Sequence, residues 1–177
     1  MANYVYIATS LDGFIAASDG GLDWLEKIPN PEGSDFGYAD FMSGIDAIVM
    51  GRKTFDKVLT FGSWPYDKPV YVLSKSKVNI PKELENKVKI VNGDLKKLVD
   101  QLKEVGHQNL YIDGGITIQG FLEEDLIDEM IITRVPVLLG NGLPLFGKLT
   151  RRLYFRHTRT EIFNETLIKS HYTRVRV

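Results

Sequence analysis

The sequence predicts an α/β fold in which a mixed central sheet carries helices on both faces and ends in an antiparallel C-terminal hairpin. Three observations carry that expectation. Short apolar, β-branched runs alternate with amphipathic segments over most of the chain, the pattern of strands joined by crossover helices. Three of those runs end in small or phosphate-friendly residues: Met50-Gly51-Arg52-Lys53-Thr54, Leu73-Ser74-Lys75-Ser76 and Asp113-Gly114-Gly115. The tail, 151–177, reads as two strands turning around Phe163-Asn164-Glu165.

The elements follow in order. Asn3 to Ala8 is aromatic and β-branched and opens the sheet. Residues 10–34 are rich in Gly, Asp, Pro and Ser around Trp24 and Leu25, an irregular excursion of functional length. Ser34-Asp35 caps a helix running to Gly44. Asp46 to Met50 is a buried-type strand, and a short helix covers Thr54 to Leu59. Strands follow at Pro69–Leu73 and Lys87–Val91. Asp94 then precedes a helix with Leu95, Leu98, Val99, Leu102 and Val105 on one stripe, stopped by Gly106. Asn109–Ile112 is a strand, Ile116–Leu122 a helix, and Leu126–Val137 a long strand-like run leading into the loop 139–144. No repeat or compositional break divides the chain, so residues 1–177 read as a single domain.

Composition narrows the function. Twenty-two basic and 23 acidic residues leave a formal charge of −1, so nothing draws the chain to nucleic acid or to a membrane surface. No apolar run spans a bilayer and no secretory leader is visible, and a cytoplasmic enzyme is expected. Without cysteine there is no disulfide, no thiolate nucleophile and no cysteine-ligated zinc. His107, His157 and His171 show no ligand spacing, so no metal is expected. The basic group Arg151, Arg152, Arg156 and Arg159 reads as one solvated face.

The three turns are the chemical signal. A strand that ends in a small residue and opens a helix leaves free backbone N–H groups at a positive dipole end, a ready anion site. Three such turns in one small α/β chain point to a long ligand with several phosphates, and a dinucleotide is the natural candidate.

The residues also match a family. Ser10-Leu11-Asp12-Gly13-Phe14-Ile15-Ala16, then Met50-Gly51-Arg52-Lys53-Thr54, Val72-Leu73-Ser74 and Asp113-Gly114-Gly115 resemble, in that order, the dihydrofolate reductase-like superfamily. The segment Arg134-Val135-Pro136-Val137-Leu138-Leu139-Gly140-Asn141-Gly142, with Leu145-Phe146, is more similar to the reductase domain of the bifunctional riboflavin-biosynthesis deaminase/reductase. The resemblance spans nearly the whole chain. It implies a dihydrofolate reductase-like three-layer fold, NADPH as cofactor, a small-molecule substrate and a homodimer.

Carried over residue by residue, the resemblance puts Gly51, Arg52, Lys53 and Thr54 at the pyrophosphate and 2′-phosphate, with Ser74 and Lys75 flanking the latter. Gly114, Gly115 and Ile116 would meet the pyrophosphate, and Ile15 and Ala16 would border the nicotinamide. The cations favour NADPH over NADH, because a 2′-phosphate needs positive charge. The segment from Asp12 to Trp24 would be a flap closing over the reacting groups.

For the proton that accompanies hydride, the resemblance points to Asp35, with Thr133 as its hydrogen-bond partner. Asp35 equally suits a helix start. Asp12 is the other carboxylate to test, although Asp12-Gly13 is also a plain turn signal. Among the aromatics of a planar-substrate pocket, Trp24, Phe36 and Phe41 are the expected contacts. Where folate enzymes hold an arginine for the glutamate tail this chain offers Lys68, which lacks the bidentate fork. The expected activity is therefore NADPH-dependent reduction of a heterocyclic or aminopyrimidine ribosyl phosphate substrate, like that of 5-amino-6-(5-phosphoribosylamino)uracil reductase. Dihydrofolate reductase and a non-catalytic NADPH-binding module are the alternatives. Zinc deamination is excluded on this chain, because the ligands it needs include cysteine.

Overall fold

The computed structural model describes residues 2–176. Ten strands and five helices follow one another as β1 (Ala2–Thr9), β2 (Phe14–Ala16), α1 (Asp23–Glu26), α2 (Tyr38–Ser43), β3 (Ala47–Gly51), α3 (Arg52–Val58), β4 (Val70–Leu73), β5 (Val88–Val91), α4 (Leu95–Glu104), β6 (Asn109–Asp113), α5 (Gly115–Glu123), β7 (Glu129–Arg134), β8 (Leu143–Pro144), β9 (Tyr154–Phe163) and β10 (Leu167–Val175). Eight strands form one sheet in the order β5-β4-β3-β6-β1-β7-β10-β9, parallel from β5 to β7 and antiparallel across β7-β10-β9. This is the expected mixed sheet with its C-terminal hairpin.

The core explains why both faces are covered. In β3, Ala47, Ile48, Val49 and Met50 have no exposed surface at all, the continuous apolar run of a strand buried on two sides. Ala47 and Val49 point to one cluster, with Leu98, Val99 and Leu102 of α4 and Ile118, Phe121 and Leu122 of α5. Ile48 and Met50 point to the other, with Phe55 and Val58 of α3 and, at its margin, Tyr38 and Phe41 of α2. The period-two alternation of one strand thus separates two helical layers. A third, smaller cluster of Trp24, Val135 and Leu167 seats the excursion after β2 on the hairpin.

Several boundaries differ from those expected, each for a local reason. The excursion 10–34 contains β2 and α1. The helix expected from Ser34 begins at Tyr38, because Gly37 takes φ 83° just before it. The long run expected at 126–137 is a strand only over Glu129–Arg134. Asp125 at φ 56° precedes it, the Val135 N–H goes to Thr9 O, and Pro136 has no N–H to offer a ladder. The loop 139–144 supplies β8, two residues antiparallel to β2. α4 starts as read, with the Asp94 carboxylate accepting the Lys97 N–H at 2.9 Å, and Gly106 follows its end at φ 97°. Among the described residues no helix is long and apolar enough to cross a membrane, and no group of three or more His, Asp or Glu could hold a metal ion.

Candidate active site

From β3 the chain runs outward to β4 and β5, then returns across β3 to form β6. Adjacent strands β3 and β6 therefore send their following helices to opposite faces, and a crevice must open beyond their carboxyl ends. A cleft of about 1160 Å³ lies there, walled by Tyr6 and Ala8 of β1, Gly51 of β3, Leu73 of β4, and Tyr111 and Asp113 of β6.

The two glycine turns interlock at its floor. A Cβ on Gly114, which sits at φ 89°, would stand 2.1 Å from the Thr54 hydroxyl oxygen. One on Gly51 would come 2.9 Å from the Thr117 hydroxyl oxygen, and one on Gly115 would come 2.8 Å from Ile15 Cδ1. Only glycine lets the starts of α3 and α5 approach each other this closely, and that closeness leaves backbone rather than side chain facing the cleft. Arg52 reaches from α3 to the turn after β4, donating to Ser76 Oγ at 2.8 Å, and its Nε lies 3.5 Å from Asp56. The roof comes from β2 and the segment after it, with Ile15, Ala16, Leu22 and Leu25 turned inward.

All eleven residues expected on the cofactor side line this cleft: Ile15, Ala16, Gly51, Arg52, Lys53, Thr54, Ser74, Lys75, Gly114, Gly115 and Ile116. The six expected on the substrate and proton side are not in its wall. Trp24 turns to the other side of α1 and lines a separate hollow of about 370 Å³ with Val135 and Pro136. One short helical turn puts Leu22 and Leu25 inward and residue 24 outward. Phe41 stacks on Tyr6, with ring centroids 4.6 Å apart, and stands behind the wall rather than in it. Phe36, at φ 53°, packs edge-on to Phe163. Its carbonyl accepts both the Tyr6 hydroxyl, at 3.0 Å, and the Lys169 ammonium, at 2.8 Å.

The carboxylates are likewise redistributed. Asp35 is exposed; its oxygens accept the N–H groups of Gly37 at 2.9 Å and Ala39 at 2.8 Å. Those bonds, the Ala39 one first, hold its pKa below the usual carboxylate value, so it keeps its charge rather than a proton. It shares no hydrogen bond with Thr133, whose backbone pairs with Ala8 and Lys169 in the sheet. Asp12 is held low chiefly by the Ser10 hydroxyl at 2.6 Å, and also accepts from the N–H groups of Leu139 and Gly140. It fastens the root of the flap to the late loop. Lys68 precedes β4, at the end of that strand opposite the cleft, near Asp46.

Two carboxyls line the cleft: exposed Asp19, on the segment after β2, and half-buried Asp113, at the end of β6. Desolvation of Asp113 in the cleft wall pushes its pKa up to about 6. The Gly114 N–H, at 2.8 Å, and the Tyr111 hydroxyl oppose the rise without cancelling it. Tyrosines surround it. The β1–β6 register sets Tyr4 beside Tyr111, so the next same-face pair along is Tyr6 beside Asp113. The Tyr111 hydroxyl donates to the Tyr6 carbonyl at 3.0 Å. Tyr66 enters from the loop before β4. The sequence held a signal for this group: Tyr111 and Asp113 alternate at the carboxyl end of a buried strand, and only the glycines after them were read as functional.

Comparison with known proteins places the chain. A model of the RibD C-terminal domain matches residues 4–168. The uncharacterized protein YwjB of Bacillus subtilis (strain 168) is 40% identical over 174 residues, covering 96% of each chain. A crystal structure from Shewanella sp. PV-4, provisionally assigned to riboflavin biosynthesis, superimposes with a TM-score of 0.96 at 51% identity, covering 99% of this chain and all of that one. The deaminase/5-amino-6-(5-phosphoribosylamino)uracil reductase of Thermotoga maritima gives 0.74 at 16% identity, with 98% of this chain covering 56% of the larger protein. Dihydrofolate reductase from Enterococcus faecalis, complexed with NADP(H), gives 0.66 at 14% identity over 98% of this chain and 96% of that one, a likeness of fold. The chain belongs to the RibD C-terminal domain family, and its fold is that of dihydrofolate reductase.

Proposed function

We propose that this protein is an NADPH-dependent reductase, acting as one catalytic unit on an aminopyrimidine ribosyl phosphate such as 5-amino-6-(5-phosphoribosylamino)uracil. The observation that carries the reading is the cleft itself: two glycine turns, the start of α5 and a row of cations lead to a carboxyl whose pKa is pushed up to about 6.

The residues fit the cofactor. The Cβ positions of Gly51, Gly114 and Gly115 are taken up by Thr117, Thr54 and Ile15, so the two turns pack tightly and line the cleft with backbone on which a pyrophosphate would lie. Arg52, Ser74 and Lys75 would hold the 2′-phosphate, Lys53 and Thr54 the bridging phosphates, and Ile15 and Ala16 would cover the nicotinamide. When bound, NADPH supplies the hydride. Reduction of a C=N or C=O bond also consumes one proton, and the protonated Asp113 carboxyl is placed to give it. Tyr6, Tyr66 and Tyr111 enclose that carboxyl and keep bulk water from it.

Lys68 lies away from the cleft, which favours this substrate class over a folate with its glutamate tail. Self-association belongs to the same reading. Paired Ile162 and Ile168 are exposed on an unpaired ten-residue edge strand and its neighbour, a surface that a second copy would cover.

The test is a fluorescence titration with NADPH and NADH, followed by turnover of 5-amino-6-(5-phosphoribosylamino)uracil. NADPH should bind at least tenfold more tightly than NADH and be oxidised only with substrate present. Equal affinity for the two cofactors, or no oxidation at high enzyme concentration, would remove the assignment.

A further inference from the structure

We propose that the Tyr66 hydroxyl reads the substrate: it donates a hydrogen bond to a ring carbonyl oxygen of the planar heterocycle. The ligand class follows. It is a flat ring carrying a cyclic-amide carbonyl, rather than a purely apolar ring.

The observations are local to Tyr66. Its side chain is only 7% exposed, yet it lines the cleft, so what exposure it has is directed there. The hydroxyls of the other two cleft tyrosines are satisfied by protein, that of Tyr6 by Phe36 O and that of Tyr111 by Tyr6 O. Tyr66 alone of the three cleft tyrosines makes no hydrogen bond among the described residues. Its oxygen is not a sealed one: it opens onto the cleft, where water meets it until a ligand acceptor takes that water's place.

The ring cannot turn away to find another partner. Trp64 stands edge-on to it, with centroids 5.2 Å apart at 83°, and Trp64 is itself wedged edge-on against Phe55 of α3. A loop of the sequence Gly-Ser-Trp-Pro-Tyr-Asp carries both aromatics inward. Such an arrangement is more than core filling needs, since phenylalanine would fill the same space.

Burial first, and then the Asp113 and Tyr38 charges and dipoles, keep the phenol protonated far above neutrality. Tyr66 is therefore a permanent donor, whereas Asp113 beside it changes state near pH 6. The two groups divide the work: Tyr66 fixes the ring and Asp113 serves the bond that is reduced. A phenol that keeps its proton can donate to a carbonyl oxygen, and comparison with a ring that carries none decides whether a carbonyl is the acceptor it meets.

This inference rests on the cleft being the substrate site of the reductase proposed above. The experiment separates the two. Wild type and Tyr66→Phe are titrated calorimetrically, with and without NADP+, against 5,6-diaminouracil and against 4,5-diaminopyrimidine, which lacks ring carbonyls. The melting temperature of the variant reports its fold. The expected result is about a tenfold loss of affinity for 5,6-diaminouracil in Tyr66→Phe, with 4,5-diaminopyrimidine and NADP+ unchanged. Equal losses for both rings, no loss for either, or wild type binding neither ring would overturn the role of Tyr66. Failure of wild type to bind NADP+ would instead overturn the reductase reading, and the comparison of the two rings on apo protein would still decide the fate of Tyr66.

Discussion

The two ends of the cleft are built on opposite plans. At the end proposed for the phosphates, Gly51-Arg52-Lys53-Thr54 and Gly114-Gly115-Ile116 are contiguous runs that bring backbone and small side chains to the cleft. At the other end, Tyr6, Tyr66, Tyr111 and Asp113 come from three separate stretches of chain, and the wall is braced by a lysine far from all of them in sequence. Lys169 is 3% exposed; its ammonium reaches Phe36 O, 133 residues away, pairs with Glu161 at 3.3 Å and lies 4.7 Å from the Phe163 ring centroid. Anion binding needs only a turn and a dipole, so it is local. A planar ring must be met from several sides, so its site is assembled by the sheet.

That contrast can be broken by substitution. The largest effect falls on Asp113→Asn, which keeps the shape and the acceptor for the Gly114 N–H but removes the proton. Steady-state kcat should fall about a hundredfold or more while NADPH affinity stays put. Wild-type kcat should also decline as pH rises through about 6, and the variant should show no such limb. Stability moves the other way. The folded pKa lies above the ordinary aspartate value of 3.8, so the folded state takes up the proton first. Its stabilising contribution is complete below about pH 4 and lost as pH climbs through about 6. Asp113→Asn should therefore resist urea better than wild type at pH 7.5, by about 2 kcal/mol, and the gap should close by pH 4.

Gly114→Ala attacks the opposite end. A Cβ facing Thr54 Oγ1, at a backbone conformation reserved for glycine, should cost about 3 kcal/mol in urea melts and abolish NADPH binding in fluorescence titrations. Lys169→Met tests the brace. It should cost about 2 kcal/mol, a moderate figure because Glu161 retains His171 at 2.8 Å and Arg159 at 2.9 Å. Its kinetic mark should be a raised substrate KM with NADPH affinity unchanged; a loss of NADPH affinity instead would show that the two ends are coupled. Arg52→Ala is the mildest: about tenfold weaker NADPH binding, NADH unaffected, and a flatter salt dependence.

How much of this could be read before folding follows the same division. The eleven residues expected on the cofactor side could be brought to one cleft from sequence alone because nearly all belong to short motifs at strand ends. The carboxyl could not. Seeking it at a fixed count upstream led to Asp35, and Gly37 shifts the start of α2 so that Asp35 spends both oxygens on backbone N–H groups. Asp113 stood in plain view, yet its raised pKa comes from burial that only the assembled strands and loops around it supply. Trp24 shows a second limit: a four-residue helix has no periodicity to phase, so which of Leu22, Trp24 and Leu25 faces inward is decided by packing on Val135 and Leu167. For the fold, the alternation in β3 was decisive, whereas the true length of β7 depended on where its neighbours stop.

The roof of the cleft is stitched to a remote part of the chain. β2 pairs with β8, Leu145 N–H reaches Gly13 O at 3.0 Å, and Asp12 grips Leu139 and Gly140. A Cβ on Gly142 would come 2.3 Å from Ala16 O, so the two segments touch backbone to backbone. Opening the roof therefore means unzipping both segments together, and a ribosome must have delivered residue 145 before the nascent protein can shelter a cofactor at all.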